Sequence, residues 1–279
     1  MQKIISIART AIAVGKVFLR PWSVYFPFAK NVHKVSVAFR ILRIRVFLGR
    51  NDVDWSETLK AIFVAIPKSA SSAVTEELFH NLGDWKRGEG GLLVAGDLKE
   101  LFESLKSAKA VGKGPLVLSI GHQGVNLLTR AGVIDPDCLR RIPIICVTRN
   151  DLERFPSAYS YCKKVRTIPR GIGVDVLLFL LESKGLPDPD TYDQCLDYGP
   201  PIHFAPSSAW TSPKSGFVPD KVFDMGTLEA CIDYVCELAD GFPRDTTQLR
   251  ETNRSHRKPQ LDSKSAQRLE KLYGLHSSS

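Results

Sequence analysis

The chain has 279 residues, 43% apolar and 24% charged, a balance that excludes a disordered, collagenous or coiled-coil protein. Six cysteines without a C-x-x-C pair exclude a disulfide scaffold and supply no zinc spacing, so no metal is expected. The net charge is +8, but residues 1–50 hold ten Lys/Arg and no Asp or Glu. The excess belongs to an N-terminal arm, and the nearly neutral remainder is not a nucleic-acid-binding surface.

Within the arm no window reaches the roughly 18–20 uncharged apolar residues of a spanning helix. Lys16, Arg20 and Lys30 interrupt every candidate secretory core. Val37, Ile41, Ile44 and Leu48 fall at helical spacing among Lys34, Arg40, Arg43 and Arg50. Three readings stay open: a transit peptide, a segment lying on an anionic membrane surface, and a helix packed on the body. The expected division is a basic arm over 1–50 and a single α/β domain over 51–279. An intracellular protein, cytoplasmic or membrane-apposed, is expected.

From residue 60 the chain alternates short apolar runs with helical patterns. Lys60–Ile66 reads as a buried strand ended by Pro67, and 71–81 as a helix stopped at Gly83. Strand 92–95 follows, then a helix capped by Asp97 and running to Ala108. Strands are predicted at 115–120 and 142–148. Asp151 opens a helix that carries Phe155, Ala158 and Tyr159, and 175–184 forms an apolar helix. A last strand over 221–225 leads into a helix over 228–238. Such alternation predicts an α/β fold, a central parallel sheet with helices on both faces. In such sheets ligands sit beyond the carboxyl ends of the strands, which gathers loops 66–72, 120–124 and 148–157. The stretch 185–220, rich in proline, glycine and serine, reads as a long loop over the site.

Two motifs stand at those strand ends. Ile66-Pro67-Lys68-Ser69-Ala70-Ser71-Ser72 runs from a strand straight into a helix, where backbone N–H groups and the helix dipole favour an anion. Small residues admit a phosphate, Lys68 adds charge and the serines add donors. No G-x-x-x-x-G-K-[ST] sequence occurs. The plainer reading is a capped helix start with a solvated lysine. In the second motif Arg149 ends a strand and Ser157 lies eight residues on, so both can converge on one anion through a bidentate guanidinium and a hydroxyl. Its plainer reading is an arginine paired with Asp151 or Glu153.

Together the two motifs resemble the phosphosulfate loop and the 3′-phosphate site of the sulfotransferases that use 3′-phosphoadenosine-5′-phosphosulfate (PAPS). They are most similar to carbohydrate sulfotransferases of the heparan 2-O type, whose motifs read I-P-K-T-[AG]-[GS]-T-S and R-D-P-x-E-R-F-x-S-x-Y. This chain has Ile66-Pro67-Lys68 and then Ser69-Ala70-Ser71-Ser72. It has Arg149, then Glu153-Arg154-Phe155, Ser157 and Tyr159. Asn150-Asp151 replaces the usual Asp-Pro, and Ser71 stands where glycine is frequent. Ser119-Ile120-Gly121-His122, His203-Phe204-Ala205-Pro206 and Thr252-Asn253-Arg254-Ser255 resemble further family segments, over roughly residues 60–273.

The resemblance implies a P-loop-like sheet, PAPS as donor, its desulfated product PAP, and a hydroxyl acceptor of carbohydrate type. It implies cofactor contacts from Lys68, Ser69, Ala70, Ser71, Ser72, Arg149, Ser157, Asn253 and Ser255. Lys68 would stabilise the leaving phosphate. His122, with His203 as second candidate, would take the acceptor proton. Lys163, Lys164, Arg166 and Arg170 would hold an acidic glycan or form a solvated basic face. Phe204 and Trp210 would stack on a sugar or anchor their loop. Two other readings remain: a degenerate sulfotransferase-like domain that only binds PAP or a membrane, and a P-loop nucleotide kinase-like enzyme, which lacks the Walker glycines here.

Overall fold

The computed structural model describes residues 55–87, 90–96, 100–101, 103–104, 107, 116–130, 132–168, 171–190, 202–213, 216–239 and 259–275. The basic arm, the cap at Asp97, Arg170 and the segment with Asn253 and Ser255 lie outside the described residues.

Five parallel strands form one sheet: β1 (Ala61–Ala65), β2 (Leu92–Ala95), β3 (Val117–Gly121), β4 (Ile144–Val147) and β5 (Lys221–Phe223), in the order β2-β3-β1-β4-β5. All five residues of β1 are buried, because helices cover both faces of the sheet. Alternate side chains serve the two sides. Ile62 and Val64 pack with α1 (Trp55–Thr58), α3 (Asn126–Arg130) and α4 (Pro136–Leu139). Ala61, Phe63 and Ala65 pack with α2 (Ser71–Leu82) and α8 (Leu228–Leu238).

A third apolar cluster stands outside the sheet. It joins α5 (Asp151–Lys164), α6 (Val174–Lys184) and α9 (Ser263–Tyr273), with Phe204 at its centre. Arg268 of α9 bridges to Asp175 and Glu182 of α6 at 3.1 and 2.8 Å. The buried Tyr273 hydroxyl donates to the Phe204 carbonyl at 2.7 Å, and burial holds that phenol protonated by pushing its pKa up. The last helix thus pins the turn that carries His203.

The strands and longer helices stand within a few residues of their predicted places, and α5 begins at Asp151 as expected. The stretch read as one long loop instead contains a 3-10 turn, Ile202–Phe204, and the short α7 (Ser208–Thr211). Trp210 and Phe204 are buried at 4% and 0% exposure, so they anchor this segment and cannot stack on a sugar. Helices α1, α3 and α4, of four or five residues, went unread because one turn carries too little periodicity. The five described cysteines are free and buried, and burial pushes the thiols of Cys146 and Cys231 up to about 12. No helix among the described residues is long and apolar enough to cross a membrane.

Tyr273→Phe should cost about 1 kcal/mol, the net value of a hydrogen bond, with more if the Phe204 carbonyl finds no new donor. Urea denaturation of the two proteins measures it, and an unchanged midpoint would mean that α9 does not hold the 202–204 turn through this bond.

Candidate functional site

The strand order sets where a site can form. From β1 the chain leads across β3 to the edge at β2, whereas from β4 it leads to β5 at the opposite edge. The connections diverge at the carboxyl ends of β1 and β4, the position where open α/β sheets bind ligands. Val64 is paired with Cys146 and Ala65 with Gly121, so the loops after β1, β4 and β3 stand side by side. Loops 66–72, 120–124 and 148–157 are gathered as expected.

The loop after β1 is strained. Of the four non-glycine residues with positive φ among the described ones, Lys68 (63°), Ala70 (57°) and His122 (61°) belong to this edge. Such backbone costs of order 1 kcal/mol or more per residue and persists where the surroundings impose it. Ser69, between the first two, is fully buried, and its hydroxyl has no protein partner. Ala70 is the N-cap of α2 and offers no side-chain cap. Ser71 is buried and Ser72 exposed. The Ser69 N–H donates to the Ile66 carbonyl at 3.4 Å, while the first turn of α2 has no side-chain cap, a helix start of the kind that suits an anion.

His122 stands over the end of β1. The Ala65 carbonyl accepts from the His122 backbone N–H at 3.2 Å and lies 3.1 Å from Nδ1. A carbonyl can only accept, so Nδ1 carries the proton and Nε2 the lone pair. Burial lowers the His122 pKa; the Ala65 carbonyl opposes this and the Lys68 charge adds to it, although the residue as a whole is only half-buried. Gly121 beside it permits close passage of the chain after β2, since a Cβ there would sit 3.0 Å from Gly96 Cα.

His203 reaches the same place from the 202–204 turn. Its ring centroid is 5.0 Å from that of His122, edge to face, and 4.8 Å from that of Tyr161. The Lys68 ammonium lies 4.3 Å from the Tyr161 ring centroid. Burial, then the charges of His122, Lys68 and Arg154, hold the His203 pKa well below its usual value.

Beneath this cluster the guanidinium of Arg154 is fully buried. Its Nε donates to Asp151 at 2.8 Å, and Nη1 to the carbonyls of Pro67 and His203 at 3.3 and 3.0 Å. Nη2 donates to the Ala205 carbonyl. Asp151 also accepts from the Ser207 amide and hydroxyl. One ion pair therefore ties the β1 loop, α5 and the segment 203–207 together. Sequence reasoning gave Arg154 no role. The signal was present: an arginine three residues after Asp151, beside Phe155 on the helix side that also carries Ala158 and Cys162.

Arg149 points to a neighbouring cleft of about 620 Å³, whose wall includes Thr148, Ser207, Thr211, Val222 and Leu275. Its Nε and Nη2 both lie 3.3 Å from Glu153 Oε2, so the plainer pairing is present, with Arg149 19% and Glu153 65% exposed. Lys68, His122 and Ser157 are not part of that wall. Ser157 is buried within α5. Lys163 donates to the Tyr159 hydroxyl at 3.1 Å, while Lys164 and Arg166 are exposed. The structure thus assembles Lys68, the serine loop, His122 and His203 at one point, with Arg149 beside it in the connection after β4, two residues past the end of the strand.

Comparison of the chain with protein-family models, with curated proteins and with solved structures gives no match.

Arg154→Ala should cost about 3–5 kcal/mol, because it strands the Asp151 carboxylate and three buried carbonyls; guanidinium denaturation reads this directly. Stability should also depend on pH. Both imidazoles bind fewer protons in the folded chain than in the unfolded one, where the pKa is 6.5. Stability is then constant above about pH 7 and falls below about pH 6.5, by up to ~1.4 kcal/mol per pH unit for each group. Thermal melts of the protein and of His203→Gln test this. The variant should show the shallower acid slope.

Proposed function

We propose that the chain is a sulfotransferase that moves a sulfuryl group from PAPS to a hydroxyl acceptor, a carbohydrate being the class the motifs resemble. The observation that carries this reading is the strained, serine-rich loop at Lys68, opening an uncapped helix beneath a neutral histidine. The loop amides and Lys68 would take the 5′-phosphosulfate. Arg149, just after the adjacent strand β4 and lining its own cleft, would take the 3′-phosphate. We read the loop as P-loop-like in this sense: it cradles an anion without the Walker glycines.

In the reaction His122 Nε2 accepts the proton of the acceptor hydroxyl while that oxygen attacks sulfur. The bond from sulfur to the phosphate oxygen breaks, and PAP leaves with the added negative charge on its 5′-phosphate. Lys68 and the loop N–H groups stabilise that charge as it forms, which is where electrostatic catalysis gains most. Donation of Nδ1–H to Ala65 keeps the proton-accepting nitrogen in one tautomer. A lowered pKa keeps the ring unprotonated at neutral pH. His203 packs against that ring and contributes shape and low polarity. Exposed Lys164 and Arg166 are candidates for an acidic glycan.

Three variants test this by calorimetric titration with PAP and by transfer of labelled sulfate from PAPS to glycans. Lys68→Ala and Arg149→Ala should each weaken PAP binding by about 10- to 100-fold, the range of a charge-assisted hydrogen bond. His122→Ala should bind PAP normally and lose about 10²- to 10⁴-fold in kcat. Wild-type protein stabilised by ATP with magnesium but not by PAP would overturn the assignment in favour of a kinase. PAP binding without transfer to any glycan would favour a binding domain.

A further inference from the structure

The ring of Tyr161 stands between two groups of the site and belongs to neither motif. It lies on α5, half-buried, two residues beyond the Tyr159 that the motif comparison includes. The two tyrosines do different things. Tyr159 is buried, and its hydroxyl donates to the Ile172 carbonyl at 2.7 Å, which is a packing role. Tyr161 contacts Lys68 of the β1 loop at 4.3 Å and His203 of the 202–204 turn at 4.8 Å. Through His203 it is one ring removed from His122. Three elements distant in sequence thus meet on one aromatic side chain.

A ring beneath Lys68 adds to whatever else holds its side chain. A lysine side chain carries about 2 kcal/mol of rotamer entropy, and an ammonium has no planar fork to fix its direction. An aromatic face beneath the ammonium returns roughly 0.5–2 kcal/mol, depending on desolvation. The two are of similar size, so the ring can fix the direction of the Lys68 side chain at little net cost. An anion arriving there then meets a lysine whose freedom is already restricted, and preorganisation of this kind appears as affinity. His203 limits the Tyr161 ring in turn, because its own turn is fixed by Arg154 and by Tyr273 through Phe204.

We propose that Tyr161 is a positioning residue of this site: its ring holds the Lys68 ammonium at the anion loop, and removal of the ring weakens anion binding without unfolding the protein. The proposal rests on the reading of loop 66–72 as an anion site, and it names a determinant that the two motifs lack.

The test compares wild type, Tyr161→Phe and Tyr161→Leu in the full chain. Phenylalanine keeps the ring face and loses only the hydroxyl; leucine removes the face. Calorimetric titration uses PAP and, separately, inorganic pyrophosphate. Tyr161→Leu should bind both about tenfold more weakly, while Tyr161→Phe stays within about twofold of wild type. Carbon-13 NMR of ε-labelled lysine supplies a readout that packing alone would not move. One ε-methylene resonance, assigned by its loss in Lys68→Ala, should be shifted upfield by the ring in wild type and in Tyr161→Phe. It should stand at the free-lysine position in Tyr161→Leu. Equal affinity of all three proteins, or no upfield resonance in wild type, overturns the proposal. Wild type that binds pyrophosphate but not PAP defeats the nucleotide reading alone, and Tyr161 is then judged by the pyrophosphate series. If wild type binds neither, both fall.

Discussion

A single guanidinium organises one edge of this protein. Arg154 is surrounded by protein, and a charge in that position is tolerable only when its donors are matched. Four acceptors match it: a carboxylate on its own helix and carbonyls from Pro67, His203 and Ala205. Those carbonyls come from segments more than 130 residues apart at the extremes. Burial alone would bring such segments together without fixing their register. Directional hydrogen bonds to one rigid fork do fix it, and they set the height of the Lys68 loop relative to the turn that carries His203.

The chemistry of the site follows from groups that stand around this anchor. The β1 loop is held in left-handed backbone at Lys68 and Ala70, and His122 is held likewise at the end of β3. Short-range contacts alone would relax these residues. The sheet register and the Arg154 bonds prevent that. The same low-polarity surroundings keep two imidazoles neutral beside Lys68. Under the proposed function, this pairing of a neutral imidazole with Lys68 would serve transfer of a group to a hydroxyl. The Arg149 cleft has an apolar wall at Val222 and Leu275, polar groups at Thr148 and Thr211, and shares Asp151 and Ser207 with the Arg154 network.

Much of this was legible in the sequence. The strands read clearly because β1 and β4 are short runs buried on both faces, and α8 because its apolar residues recur at helical spacing. That the strand ends face one edge followed from alternation, which is why Lys68, His122 and Arg149 could be placed there; the strand order did not. The contacts of Arg154 with Pro67, His203 and Ala205 were not legible, since no local pattern reports which distant carbonyls a buried donor finds. The turn at 202–204 was hidden for the same reason. Phe204 and Trp210 looked available for stacking because their stretch is proline-rich, but each is large and apolar and the fold consumes both in its interior. Tyr161 escaped notice because one ring on a helix reads as core until its neighbours from other elements are known.

The left-handed residues of the loop after β1 carry a further implication for engineering. Glycine would occupy those backbone angles without steric strain, though at a cost in conformational entropy, so the chain keeps side chains at Lys68 and Ala70 in strained backbone. A glycine at Ala70 would ease folding and slacken the loop together. Under the proposed function, the retained strain at this loop would be the cost of keeping its shape ready for a ligand.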